Sequence, residues 1–206
     1  MNKLYKTRTK KALLFLIFLA IFIRLFPILL EGISFLYLNN ITTTKFEVRE
    51  NIVYINGDIN AKTYEQFVEL METNPQVDTL VEEIVQGSID DETMIKLGYF
   101  VRERGLKTKL TASSEIDSGG VDLFLAGIER TMEEGAHIGV HSWSDIFKEA
   151  KDYPKDSREH EANRKYVEDM LGTDDFYWFT IYSASADDIH EMTMEEIEKY
   201  GLLTSP

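Results

Sequence analysis

The stretch SGGVDLFLAGIERTMEEGAHIGVHSW, residues 118–143, decides how the rest of the chain is read. A serine and two glycines open it. VDLFLAGIER then runs apolar nearly all round, as a buried helix does, and AHIGVHSW, residues 136–143, has the composition of a strand. Ser118 therefore stands at the mouth of a helix, and His141, 23 residues later, at the end of the following strand.

Outward from that stretch two periodicities alternate. LKTKLTA (106–112) alternates as a strand, and DDETMIKLGYFVRERG places Met94, Leu97, Gly98 and Val101 on one helical stripe. DTLVEEIV (78–85) is a β run closed by Gly87. TYEQFVELMETNP puts Tyr64, Phe67, Val68 and Met71 on one face before Pro75 ends the helix, and IVYING is a strand closed by Gly57. Strands followed by helices in this order predict parallel βαβ units with right-handed crossovers in a layered α/β domain. Beyond residue 143 the pattern predicts helices only: SREHEANRKYVEDMLG, then DDFYWFTIYSA, then TMEEIEKYG. The cluster Phe176, Tyr177, Trp178, Phe179 reads as core or subunit interface, and the acidic residues at 191–198 as a solvated helix face.

Chain order narrows the chemistry. The tetrad Asp117-Ser118-Gly119-Gly120 matches the nucleophile of chymotrypsin-like enzymes, whose general-base histidine precedes the serine. All four histidines here (His137, His141, His160, His190) follow it, and the parallel pattern is wrong for an all-β enzyme. The α/β-hydrolase elbow G-x-S-x-G asks for a small residue where this chain has Ile116. Ser118 also suits a plain helix N-cap. His137 and His141 share a strand face and admit a zinc reading with His160 or His190, but no carboxylate stands at a recognisable ligand spacing, and no metal is expected. The absence of cysteine excludes disulfides, thiolate metal sites and cysteine nucleophiles.

The arrangement resembles the Clp protease proteolytic-subunit family, within the wider ClpP/crotonase superfamily. Residues 118–143 carry the likeness together with three flanking segments. VYINGDI is similar to the family's first core strand, IVQGSIDDETMIKLGYFVRERGLKT to its glycine turn and following helix, and MTMEEIEKYGLL to its closing segment. The resemblance implies a layered βαβ superhelix with a parallel sheet and C-terminal helices. It also implies Ser118 as nucleophile, His141 as the general base that takes its proton, and the backbone amides of Ser88 and Gly119 as an oxyanion hole. Laid on the family's tail without gaps, the chain puts Ile189 where the orienting aspartate belongs; a one-residue shift brings Asp188 there, and Asp188 is taken as the third member. Asp187, His190 and Glu191 are neighbours that would serve instead, or the site runs as a dyad. Ser142-Trp143 replaces the family's Gln-Pro after the histidine. The resemblance further implies a homo-oligomer, a peptide or small acyl substrate, and no cofactor.

The N-terminus bears on location. NKLYKTRTKK is basic, and an apolar run of 12 residues, Ala12–Ile23, extends to Leu30 once Arg24 is accepted. At about 1.5 Å per residue the longer run approaches the thickness of a hydrocarbon core of about 30 Å. A central arginine costs a few kcal/mol, which the surrounding Leu, Ile and Phe outweigh. Basic residues before the segment and none just after predict an uncleaved signal anchor, N-in and C-out, over residues 1–38, with a polar linker at 39–51 and the α/β domain at 52–206. The chain's net charge is −14, and residues 39–206 hold 16 basic against 35 acidic side chains, which excludes nucleic acid as a partner. The expectation is a membrane-anchored, ClpP-like serine hydrolase, an ATP-independent peptidase whose domain is periplasmic or extracellular, beyond reach of a cytosolic ATPase partner. Two rivals stay open: an inactive anchored scaffold of the same fold, and a crotonase-type acyl-thioester enzyme, for whose coenzyme A phosphates the chain offers no basic cluster.

Overall fold

The computed structural model describes residues 2–38, 41, 43–145 and 147–204. The chain divides into two compact units, Met1–Leu38 and Asn39–Pro206. The first is a single helix, α1 (Asn2–Leu38), in which Leu14–Ser34 is long and apolar enough to cross a membrane. Phe18, Phe22 and Phe26, spaced by four, stack along one stripe of it.

The second unit is built on a seven-stranded sheet. Its strands are β1 (Lys45–Arg49), β2 (Ile52–Asn56), β3 (Thr79–Val85), β4 (Lys107–Asp117), β5 (Arg130–Met132), β6 (His137–Val140) and β7 (His190–Glu191). They lie in the order β1-β2-β3-β4-β6-β7, with β5 also paired to β4. β2 to β6 run parallel, while β1 and β7 are antiparallel edges. Helices α2 (Thr63–Thr73), α3 (Asp91–Glu103) and α4 (Gly119–Leu125) make the crossovers; α5 (Glu161–Leu171), α6 (Asp175–Ser183) and α7 (Met194–Lys199) complete the domain.

Apolar spacing explains the layers. Val53, Ile55, Leu80, Val85, Leu110, Ile116, Ile138 and Val140 from the strands and Phe67, Met71, Met94, Leu97 and Phe124 from the helices are all buried in one core. Each such side chain contributes about 1.5–3 kcal/mol by leaving water. α5 docks through a missing side chain. A Cβ on Gly98 of α3 would lie 2.0 Å from the hydroxyl oxygen of Tyr166, so the tyrosine ring rests on bare backbone, and its hydroxyl donates to Asp122 O at 2.7 Å.

Four elements differ from expectation. The segment read as a polar linker contains β1, because Phe46 and Val48 pack on the core while Glu47 and Arg49 pair outside it; residues 39, 40 and 42 of that segment lie outside the described residues. β4 continues past 112 to Asp117 because its register against β3 shifts between Glu82 and Ile84. The irregular stretch is stitched by Ser114, whose hydroxyl donates to Glu82 O and accepts from Thr111 N at 2.9 Å. The buried helix stops at Leu125, and Arg130 begins β5; its guanidinium donates to the carbonyls of Gly127, Gly201 and Leu202 and so holds down the C-terminal segment. After residue 143 there is also a strand, β7, whose two residues are too few to register as a period.

Glu82 breaks the apolar pattern of β3. It is fully buried, and among the described residues both its carboxyl oxygens lack a hydrogen-bond partner. Burial therefore pushes its pKa well above the usual carboxylate range. The folded state holds this proton more tightly than the unfolded chain does, so the group's contribution is intact in acid and is lost as pH rises above the ordinary glutamate value. Glu82→Met is expected to stabilise the protein increasingly with pH, by about 1.4 kcal/mol per pH unit until the folded-state pKa is passed. Urea unfolding of both proteins at several pH values checks this; a stability difference that does not change with pH contradicts it.

Candidate active site

β4 delivers the chain to Ser118, where it turns into α4 with φ 51° and ψ −118°. A non-glycine residue in this region costs about 1–3 kcal/mol and persists only where its surroundings hold it. Two bonds do so: Ser118 N donates to Gly139 O of β6 at 3.1 Å, and Asp122 N donates to Ser118 O at 3.2 Å. Ser118 occupies the N-cap position of α4, yet its side chain makes no capping hydrogen bond. The plain-cap reading is thereby answered. Ile116, which argued against a sharp elbow, points into the core, and the turn it precedes is a strained strand-to-helix turn all the same.

The glycines after the serine allow a close approach. A Cβ on Gly119 would lie 2.7 Å from Ser88 Cβ and 2.8 Å from Ser88 N, and one on Gly120 would lie 2.4 Å from Val85 O. The start of α4 thus rests directly on the loop leaving β3. That loop is pinned by Ile59, whose N–H donates to Gly87 O at 3.0 Å and whose carbonyl accepts from Ile89 N at 2.7 Å. Ser88 Oγ donates to Asp91 Oδ1 at 2.6 Å. Gly87 itself has φ 154°, and its missing Cβ would stand 3.5 Å from Ser118 Cβ. Among the described residues neither the Ser88 amide nor the Gly119 amide, the first of α4, has a protein acceptor. Two unspent donors beside a strained serine make up the chemical inventory of an oxyanion site.

His141 leaves the end of β6 half-buried, with Nδ1 2.9 Å from Ser142 O. A proton on Nδ1 given to that carbonyl leaves Nε2 as an acceptor, the tautomer a general base needs. β4 and β6 are neighbours in register, Asp117 opposite Gly139, so Ser118 and His141 emerge at the same end of adjacent parallel strands. No hydrogen bond joins them among the described residues.

The structure does not join Asp188 to His141. Asp188 is exposed, and its Oδ1 accepts from Ile189 N at 2.9 Å. His190 is engaged by Glu196 at 3.0 Å, and Glu191 faces His137 at 3.7 Å. His160 is buried among Trp143, Tyr153, Tyr177 and Trp178, with Nδ1 2.7 Å from the Tyr177 hydroxyl. Among the described residues no three metal-capable side chains converge.

Two carboxyls near the serine escaped sequence reasoning. Asp117, immediately before it, is half-buried; burial and the charge of Glu191 push its pKa up, and His141 pulls it back. Asp122, one helical turn after the serine, is pushed up to about 7 by burial, with Asp91 adding to the rise. The first was legible only as a letter of the Asp-Ser-Gly-Gly tetrad, since its place opposite Gly139, within electrostatic reach of His141, needs the β4–β6 register.

In comparisons with known proteins, no family model and no curated protein matches this chain. Solved structures do. A mutant of a membrane-bound stomatin-specific protease superposes with a TM-score of 0.51 and 18% identity, over 76% of this chain and 80% of that one. ClpP1 from Listeria monocytogenes superposes with a TM-score of 0.54 and 17% identity, over 75% of this chain and 89% of that one. The chain has the ClpP-like fold. A second mutant of the stomatin-specific protease, in complex with a substrate peptide, matches the ClpP-like domain at a TM-score of 0.50 and 18% identity, over 76% of this chain and 75% of that one.

The strain at Ser118 is measurable. Glycine relieves a positive φ and alanine does not, so Ser118→Gly is expected to be more stable than Ser118→Ala by about 1 kcal/mol in urea unfolding. Equal stabilities contradict a strained turn.

Proposed function

We propose that the protein is a membrane-anchored, ClpP-like serine peptidase. The observation that carries this reading is the backbone of Ser118, held at positive φ without a capping role, beside the two unspent amides of Ser88 and Gly119. In the proposed reaction His141 Nε2 takes the hydroxyl proton as Ser118 Oγ bonds to the substrate carbonyl carbon. The carbonyl oxygen becomes an oxyanion received by the amides of Ser88 and Gly119, each donor worth about 3 kcal/mol. Collapse breaks the C–N bond, the leaving amine takes the proton from His141, and water, deprotonated by the same imidazole, releases the acyl group.

The anchor reading rests on Leu14–Ser34 and on the basic residues ahead of it, which orient the domain outside the cytoplasm. A domain so placed is out of reach of a cytosolic ATPase and takes peptides that are small or already unfolded; homo-oligomerisation follows the fold's resemblance. A second reading, an inactive scaffold, draws on the missing Ser118–His141 hydrogen bond and on Ile189 in the acid's expected place. The two separate by chemistry. A fluorophosphonate probe is expected to label the full-length protein in detergent, with labelling abolished in Ser118→Ala and slowed about a hundredfold or more in His141→Ala. An intact, folded protein whose Ser118 stays unlabelled establishes the scaffold.

A further inference from the structure

We propose that Asp117, not Asp188, is the acid that serves His141: it acts through the imidazole as a counter-charge, delivered from β4 rather than from the C-terminal segment. This deepens the reading of Ser118 and His141 as nucleophile and base, and rests on it.

The geometry at Gly139 carries the inference. A Cβ on Gly139 would lie 2.0 Å from Asp117 Oδ1 and 2.7 Å from Ile189 Cγ2. The carboxyl of Asp117 and the side chain of Ile189 therefore converge on the bare backbone of β6, two residues before His141. Ile189 is the residue that an ungapped alignment puts in the place of the family's aspartate. That place holds an apolar side chain in this chain, and a carboxyl reaches the same spot from the neighbouring strand. Only glycine at 139 leaves room for it, since any side chain there would displace the carboxyl or Ile189.

The groups facing Asp117 are consistent with this role. They are Glu115 on its own strand, His137 and His141 on β6, and Glu191 on β7. Of these, His141 is the one that changes charge in the proposed reaction. When it accepts the serine proton, the imidazolium forms beside Asp117, and a negative carboxylate there lowers the energy of that state. The ring's direction is set separately, by Nδ1 against Ser142 O. The two tasks that one aspartate usually performs, orientation and charge compensation, are thus divided between a backbone carbonyl and Asp117.

The test follows the rate of Ser118 labelling by a fluorophosphonate in the full-length protein as a function of pH. Asp117→Asn is expected to slow labelling about tenfold or more and to move the acid limb of the pH profile to lower pH, because the imidazolium loses its counter-charge. Asp188→Asn is expected to label at the wild-type rate. Ile189→Asp introduced into Asp117→Asn is expected to recover part of the lost rate and the original acid limb, since it returns a carboxyl to the same void. Asp122 stays in every variant, so differences among them report Asp117. Wild-type rate and acid limb in Asp117→Asn, or a tenfold loss in Asp188→Asn, overturn the proposal. If Asp117→Asn does not fold, Asp117→Glu takes its place: slower labelling supports Asp117, and a wild-type rate overturns the proposal. A wild-type protein unlabelled at Ser118 overturns the serine-hydrolase reading and this proposal together, whereas labelling that responds to Asp188 alone overturns only this one.

Discussion

Backbone touching backbone, where the first residues of α4 meet the loop after β3, is the constraint from which the site's architecture follows. Gly119 and Gly120 present no side chains, so the helix start comes within contact of Ser88 and of Val85 O. A Cβ at either position would push the two segments apart. The contact brings Gly119 against the Ser88 amide, next to a serine that does not take an ordinary cap conformation. The serine turns to positive φ instead, held by Gly139 O on one side and by the first turn of α4 on the other. Its strain is offset by the surrounding core, where Val85, Ile116, Val121 and Phe124 are all buried.

A second consequence runs along the sheet. Because β4 is extended past its irregular stretch at 111–114, its last residues pair with β6 rather than with β5. That pairing aligns Asp117 with Gly139 and sends Ser118 and His141 out of the same sheet end. The hydroxyl and the imidazole thus follow directly on the ends of two adjacent parallel strands, the neighbouring carboxyl is the last residue of the first, and the Ser88 amide comes from the loop after β3. In the proposed site the acid comes from β4, and Ile189 then packs beside Gly139 without taking part in the chemistry.

Much of this was legible before any coordinates. Apolar periodicity placed the parallel strands and crossover helices, and the resemblance carried by residues 118–143 implied Ser118, His141 and the amides of Ser88 and Gly119 as the site that is proposed above. What escaped was short or relational. β5 and β7 have three and two residues, and β1 hides its Phe46–Val48 alternation among charges. The acid was sought in the tail because linear alignment looks for it there; that Asp117 faces Gly139 depends on strand register, which the irregularity opposite Glu82 shifts in a way no local pattern announces. The sharp elbow was discounted for the bulk of Ile116, but that side chain belongs to the core face and leaves the turn free.

A crystal structure of the full-length protein after reaction with a fluorophosphonate tests the proposed site most directly. Phosphorus is expected on Ser118 Oγ, with its oxygen about 3 Å from both Ser88 N and Gly119 N and with His141 Nε2 turned toward the adduct. An unmodified Ser118, or an adduct whose oxygen faces solvent away from those two amides, would contradict it.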